Sequence, residues 1–184
     1  MISNILIYVD DINHIDDYRK AGVSAFLFGL EGFCVGYNTY SLDEISKIDV
    51  SNKYILLNRV LDCKDIDKLK EIIPNITDIK GLVFEDIGVY NLVKDMNLGI
   101  ELILFQNHFG TNSKSVNFWL DRVDSMFISN EITKDEISTI LDNVSKSVVL
   151  HLYGFNQVMY SRRLLLTNWS EEFDIPNKNT NVIV

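Results

Sequence analysis

Short apolar runs alternate with longer amphipathic stretches along the chain. The runs are Ile5–Val9, Ala25–Gly29, Tyr54–Asn58, Gly81–Phe84, Ile100–Phe105, Ser125–Ser129 and Val148–Tyr153. Most carry little polar alternation, the pattern of a strand buried on both faces. Helical patterns fill the gaps. Ser41 to Glu44 and Thr133 to Glu136 have the spacing of capping boxes. Ile137, Ile140, Leu141 and Val144 then fall on one stripe, as do Ile66, Leu69, Ile72 and Ile73 before Pro74. The segments Gly88–Met96 and Asn112–Leu120 carry further apolar stripes. Strand, helix and strand recurring at roughly 25-residue intervals predict a parallel sheet with right-handed crossovers.

The expected fold is therefore α/β, a TIM-barrel-like parallel (β/α) repeat of about seven strands, incomplete or irregularly closed. An open doubly wound sheet fits the same pattern. Length agrees with the incomplete barrel. The chain has 184 residues, whereas an eight-unit barrel usually takes about 250. A barrel-like domain is expected over residues 1–169, with a polar tail over 170–184 whose end, Val182–Val184, reads as an extra strand.

Composition narrows the classes. The 47% hydrophobic content argues against disorder. No apolar run reaches the roughly 18 residues of a membrane span, so a cytoplasmic protein is the default. The net charge of −9 weighs against a nucleic-acid partner. Two cysteines, Cys34 and Cys63, are too few for a disulfide framework.

In parallel α/β folds, ligands meet the chain where strands end and helices begin. Those segments supply Asp10, Asn58, Glu85, Asp86, Gln106, His108, Glu131, His151 and Tyr153. Glu85 and Asp86 are adjacent and point to opposite sides, so Glu85 enters the barrel mouth while Asp86 caps the next helix. An acid/base pair would need Glu85 and Glu131 brought together from different strands. His14 lies away from the mouth, which argues against a three-histidine metal site with His108 and His151. Neither cysteine has a histidine beside it. Phosphate-loop and nucleophile-elbow motifs are absent.

Read in order, these segments resemble the collagenase-like peptidase family, number thirty-two of the peptidases of unknown mechanism. Ser129 to Ile137 looks like its Ser-Arg-Glu-Leu-Ser-x-x-Glu-Ile element. Val158 to Asn168 looks like its Tyr-Ser-Gly-Arg-Cys-Leu-Leu-Ser signature, and Glu85 to Val89 is similar to Gln-Asp-Leu-Gly-Val. Asn58, Gln106, Asn112, Gly22 and Gly29 also match. The resemblance implies a TIM-barrel core and a peptidase classification without a settled catalytic apparatus. Some relatives instead use an iron–sulfur cluster to hydroxylate RNA or quinone precursors.

The departures sit in the last motif. Ser161 and Arg163 match, but Tyr153 stands at the family's His, Gln157 and Leu164 at its two Cys, and Arg162 at its Gly. With the cluster thiolates replaced, no cofactor and no metal are expected. The expectation is a peptidase-like protein whose rim binds a peptide or small polar ligand. Glu85, Asp86, Glu131 and His151 form the acid/base set, with Asn58, Gln106, Asn112, Tyr153, Ser161 and Arg163 as the ligand-binding rim. The alternatives are a non-catalytic barrel, serving as a binding module, homo-oligomer or partner subunit through its unpaired edges, and an RNA-modification role. The tail resembles the point where longer relatives run on toward a final barrel unit, so a truncated or reduced member is expected.

Overall fold

A computed structural model describes residues 5–106, 108–157, 160–163 and 165–175. Contacts divide the chain between Tyr153 and Gly154 into two compact units. In chain order the first unit contains β1 (Leu6–Tyr8), α1 (Ile15–Lys20), β2 (Ala25–Leu30), β3 (Thr39–Tyr40), α2 (Leu42–Lys47), β4 (Lys53–Leu57), α3 (Cys63–Ile72) and β5 (Gly81–Phe84). It continues through α4 (Ile87–Val93), β6 (Glu101–Leu104), α5 (Ser113–Leu120), β7 (Ser125–Phe127), α6 (Lys134–Leu141) and β8 (Val148–Val149). The second unit holds α7 (Leu165–Glu172). The expected tail beyond Ile175 lies outside the described residues.

Seven strands pair in parallel in the order β1-β2-β4-β5-β6-β7-β8, while β3 adds a two-residue pairing to β2. Among the described residues β1 pairs only with β2 and β8 only with β7, so the sheet is a curled, open half-barrel. The seven apolar runs all became strands. The last is shorter than its run: pairing stops at Val149, and Leu152 and Tyr153 are 89% and 98% exposed. An edge strand has one neighbour, and nothing among the described strands covers its other side. No apolar run announces β3, because it pairs through its main chain within a polar stretch.

The continuous hydrophobicity of β2, β4 and β5 reflects burial on two faces. Alternation sends Phe26, Phe28, Ile55, Leu57, Leu82, Phe84, Leu104 and Met126 outward, against Ile45, Leu69, Val89, Val116, Leu120 and Ile140 of the helices. The other parity (Ala25, Leu27, Tyr54, Leu56, Val83, Ile103, Phe105 and Phe127) forms the inner face, joined by Leu6, Tyr8, Cys34, Tyr37 and Val149. Each fully buried Leu or Phe contributes about 1.5–3 kcal/mol. Glycine has one steric role inside the sheet. A Cβ on Gly81 would lie 2.6 Å from the Glu101 carbonyl oxygen and 2.9 Å from the Tyr54 ring. Its absence lets Tyr54 donate to Glu101 Oε2 at 2.7 Å.

The helices start where sequence places them. Ser41 and Thr133 accept from the backbone N–H of Glu44 and Glu136, whose carboxylates accept from the cap residues in return. Those bonds hold both carboxyls below their usual range. Asp62 and Asp65 form a third reciprocal cap at α3. Each exposed capping bond relieves helix-end donors that would otherwise depend on water.

Candidate active site at the mouth of the half-barrel

Parallel pairing brings all strand ends to one edge, and because β4, β5 and β6 each end on an outward residue, the next residue of each lies on the inner face there. Leu57 pairs with Phe84 and Phe84 with Leu104. One step further on, Asn58, Glu85 and Phe105 therefore stand side by side. Main-chain bonds extend the register past the strands: Glu85 N–H donates to Leu57 O at 3.1 Å and Phe105 N–H to Phe84 O at 2.7 Å.

The loop over residues 31–38 closes one side of this mouth. Asn58 is fully buried and clamps the loop at Val35, donating to its carbonyl at 3.0 Å and accepting its N–H at 2.9 Å. Arg59 donates from Nη1 to Gly32 O at 2.6 Å and from its main chain to Phe33 O. At the far end, Asn38 donates to the Asp10 carbonyl and carboxylate, and Tyr8 donates its hydroxyl to Asn38 O. Gly29 permits the close approach, since a Cβ there would sit 2.6 Å from Asn38 O and 3.0 Å from Cys34 Sγ. The loop thereby lays Cys34 and Tyr37 on the inner face, with the Tyr37 and Tyr8 ring centroids 4.4 Å apart.

Glu85 is the chemically distinctive group at this mouth. Burial lifts its carboxyl from 4.5 to about 7; His108 opposes that rise and neighbouring Asp86 adds to it. Its Oε2 is buried without a hydrogen-bond partner. Its main-chain oxygen accepts from Gln106 Nε2 at 3.2 Å. His108 Nδ1 lies 3.4 Å from Glu131 Oε1. Glu131 in turn donates its N–H to Ser129 Oγ at 3.2 Å, and the next residue back, Asn130, has a buried Nδ2 without a partner. The result is a partly buried carboxyl able to hold or release a proton near neutrality, beside an imidazole oriented by a second carboxylate.

Asn58, Glu85 and Gln106 thus gather at the ends of β4 to β6, and Glu131 reaches the group through His108. Asp86 has other partners: Oδ1 accepts from Gly88 N–H at 2.7 Å, capping α4, and Oδ2 accepts from Leu61 N–H at 2.9 Å. Asn112 caps α5, accepting from Ser115 N–H at 3.0 Å. His151 follows β8, with Nε2 3.0 Å from the carbonyl of the exposed Tyr153. Ser161 and Arg163 belong to the second unit, where Ser161 Oγ accepts from Arg163 N–H at 3.2 Å. Sequence reasoning did not single out Tyr8, Tyr37 or the partnership of His108 with Glu131. Tyr8 was legible from its parity in the first apolar run. The others depend on loop paths that no periodicity records.

The two thiols have different surroundings. Cys34 packs on the inner face, where burial pushes its thiol up to about 12, and Cys63 is exposed at the start of α3. Among the described residues no three His, Cys, Asp or Glu side chains are grouped to hold a metal ion. A cavity of about 220 Å³ lined by Ile73, Pro74, Ile76, Ile79, Leu82, Leu98 and Ile100 opens at the opposite end of the strands. Its side chains are all apolar, so it offers no acid/base chemistry. Among the described residues no helix is long and apolar enough to cross a membrane.

An open parallel β/α half-barrel with its polar groups at the C-terminal strand edge defines the class of protein. The model of peptidase family U32 matches residues 44–179, most of the chain, and the chain belongs to that family. It is also 28% identical, over 105 residues, to an uncharacterized protease of Methanocaldococcus jannaschii. That alignment covers 55% of this chain and 25% of the relative, so the chain matches about a quarter of that protein's length. No solved structure matches the chain.

Proposed function

We propose that the mouth of the half-barrel binds and cleaves a peptide, with Glu85 as the proton-transfer group and His108, held by Glu131, as its partner. The observation carrying this reading is the buried, unpartnered Oε2 of Glu85 beside the His108–Glu131 pair. Family membership and the protease-named relative support peptide hydrolysis. In its ionised form Glu85 takes a proton from water as the hydroxyl adds to the peptide carbonyl carbon. The resulting Glu85 acid returns that proton to the nitrogen as the C–N bond breaks. A carboxyl near 7 is suited to both steps at neutral pH. His108 supplies a donor toward the developing oxyanion. Asp86 is left out because both its oxygens accept main-chain N–H groups.

The test is cleavage of a fluorogenic peptide library by the full chain. Glu85→Gln should abolish turnover and His108→Gln should lower it about a hundredfold, with unchanged far-UV spectra. Full activity in both variants would remove this assignment. A second reading, a non-catalytic binding module, is favoured by the two sheet edges that have no partner strand among the described residues. Light scattering that finds a strict monomer, together with turnover that depends on Glu85, would set it aside.

A further inference from the structure

The inner face near Glu85 is aromatic. Tyr37 lies close enough to Glu85 for the carboxylate to help raise its phenol, after burial and Cys34. Tyr8 packs on Tyr37, and Phe105, next to Glu85 in the register, packs edge-on against Phe127 at 4.9 Å. Phe109, adjacent to His108, is 68% exposed. A carboxylate with one oxygen buried and unpartnered, next to an aromatic inner face, matches one kind of ligand group well. That group is a cation with N–H donors, because rings attract a cation through their quadrupoles while the carboxylate accepts its protons.

We infer that the mouth beside Glu85 is a subsite for a primary ammonium group of the bound peptide, held between the Glu85 carboxylate and the Tyr37 and Tyr8 rings. The inference rests on the peptide reading above and names what that site selects. His108 does not already fill the role. Its Nδ1 faces Glu131, and it is a shared imidazole rather than a lysine or arginine cation. Asn58 and Gln106, which flank Glu85 at the ends of β4 and β6, are neutral and bonded to Val35 and to the Glu85 main chain. The ammonium group has two peptide sources, the chain's own amino terminus or a lysine side chain.

Binding should also release a proton. Around pH 7 part of the protein carries neutral Glu85, and an ammonium ion favours the ionised form. The groups facing that carboxyl are Asp86, His108 and Tyr37, with Glu131 acting through His108.

Calorimetry on the full chain at pH 7, in buffers of different ionisation heat, tests this with four probes. They are trialanine amide, acetyl-trialanine amide, acetyl-Ala-Lys-Ala amide and phenethylammonium. The expected result is at least one cationic peptide binding about tenfold tighter than acetyl-trialanine amide, with net proton release. Whichever of the two cationic peptides binds identifies the source. Glu85→Gln and Tyr37→Leu should each bring the ratio of cationic to neutral peptide affinity down to about one. Equal binding of neutral and cationic peptides, or no binding of any cationic probe, would overturn the inference. Equal binding would leave the peptide reading standing. Phenethylammonium binding that depends on Glu85, without peptide binding or cleavage, would support the ammonium subsite and overturn the peptide reading.

Discussion

Replacing Glu85 with Gln should change how stability depends on pH. The carboxyl sits near 7 in the folded chain and returns toward 4.5 when unfolded. Between those values the folded state binds more protons than the unfolded state. The stability contribution is therefore fully present below about 4.5, is lost as pH rises toward about 7, and is flat above that. The full difference corresponds to ~3 kcal/mol at ~1.4 kcal/mol per pH unit. Glu85 is only partly buried, and solvent screens it, so roughly 1–2 kcal/mol should survive. Gln keeps the size of the side chain but cannot ionise. Its new amide carries the same packing cost at every pH, so that cost cancels in a comparison between two pH values. Urea unfolding at pH 5 and pH 8 should show Glu85→Gln gaining about 1–2 kcal/mol on the native protein between the two conditions. In thermal melts that is roughly 2–8 °C for a chain of this size. His108 and Asp86 both act on the Glu85 carboxyl, so His108→Gln serves as a background in which the difference must persist. Identical pH dependence in native and variant protein, or a loss for the variant at pH 8, would refute the argument from burial.

Three further outcomes follow from the geometry. Asn58→Ala leaves the Val35 N–H and carbonyl without their buried partner, so it should cost about 2–3 kcal/mol and speed amide exchange over residues 31–38; unchanged exchange there would contradict the clamp. Gly81→Ala drives a Cβ into the Glu101 carbonyl and the Tyr54 ring and should destabilise by about 2–4 kcal/mol, read as a lowered urea midpoint. In the native protein at pH 8, a thiol reagent should modify exposed Cys63 and react more slowly with half-buried Cys34 until denaturant is added; equal native rates would show that the 31–38 loop does not hold Cys34 on the inner face.

The sheet was legible in the sequence because a strand buried on both faces has no polar face to spare, so hydrophobicity alone marks β2, β4 and β5. The capping boxes at Ser41 and Thr133 were legible because their bonds join residues three apart. Glu85 and Asp86 separated as parity requires, one toward the mouth and one onto a helix end. The limits appear where a contact joins distant residues without a repeating pattern. Only the folded chain brings Val35 to Asn58, Tyr37 to Tyr8 and His108 to Glu131, because each pairing depends on a loop path set by steric fit, as at Gly29. Tertiary structure also decided where the last strand stops, since pairing ends at Val149 whatever the hydrophobicity of Leu150 and Leu152. The sequence by itself determined which segments must be buried. The proton affinity of Glu85 was decided by the fold, because desolvation depends on what surrounds a group in space.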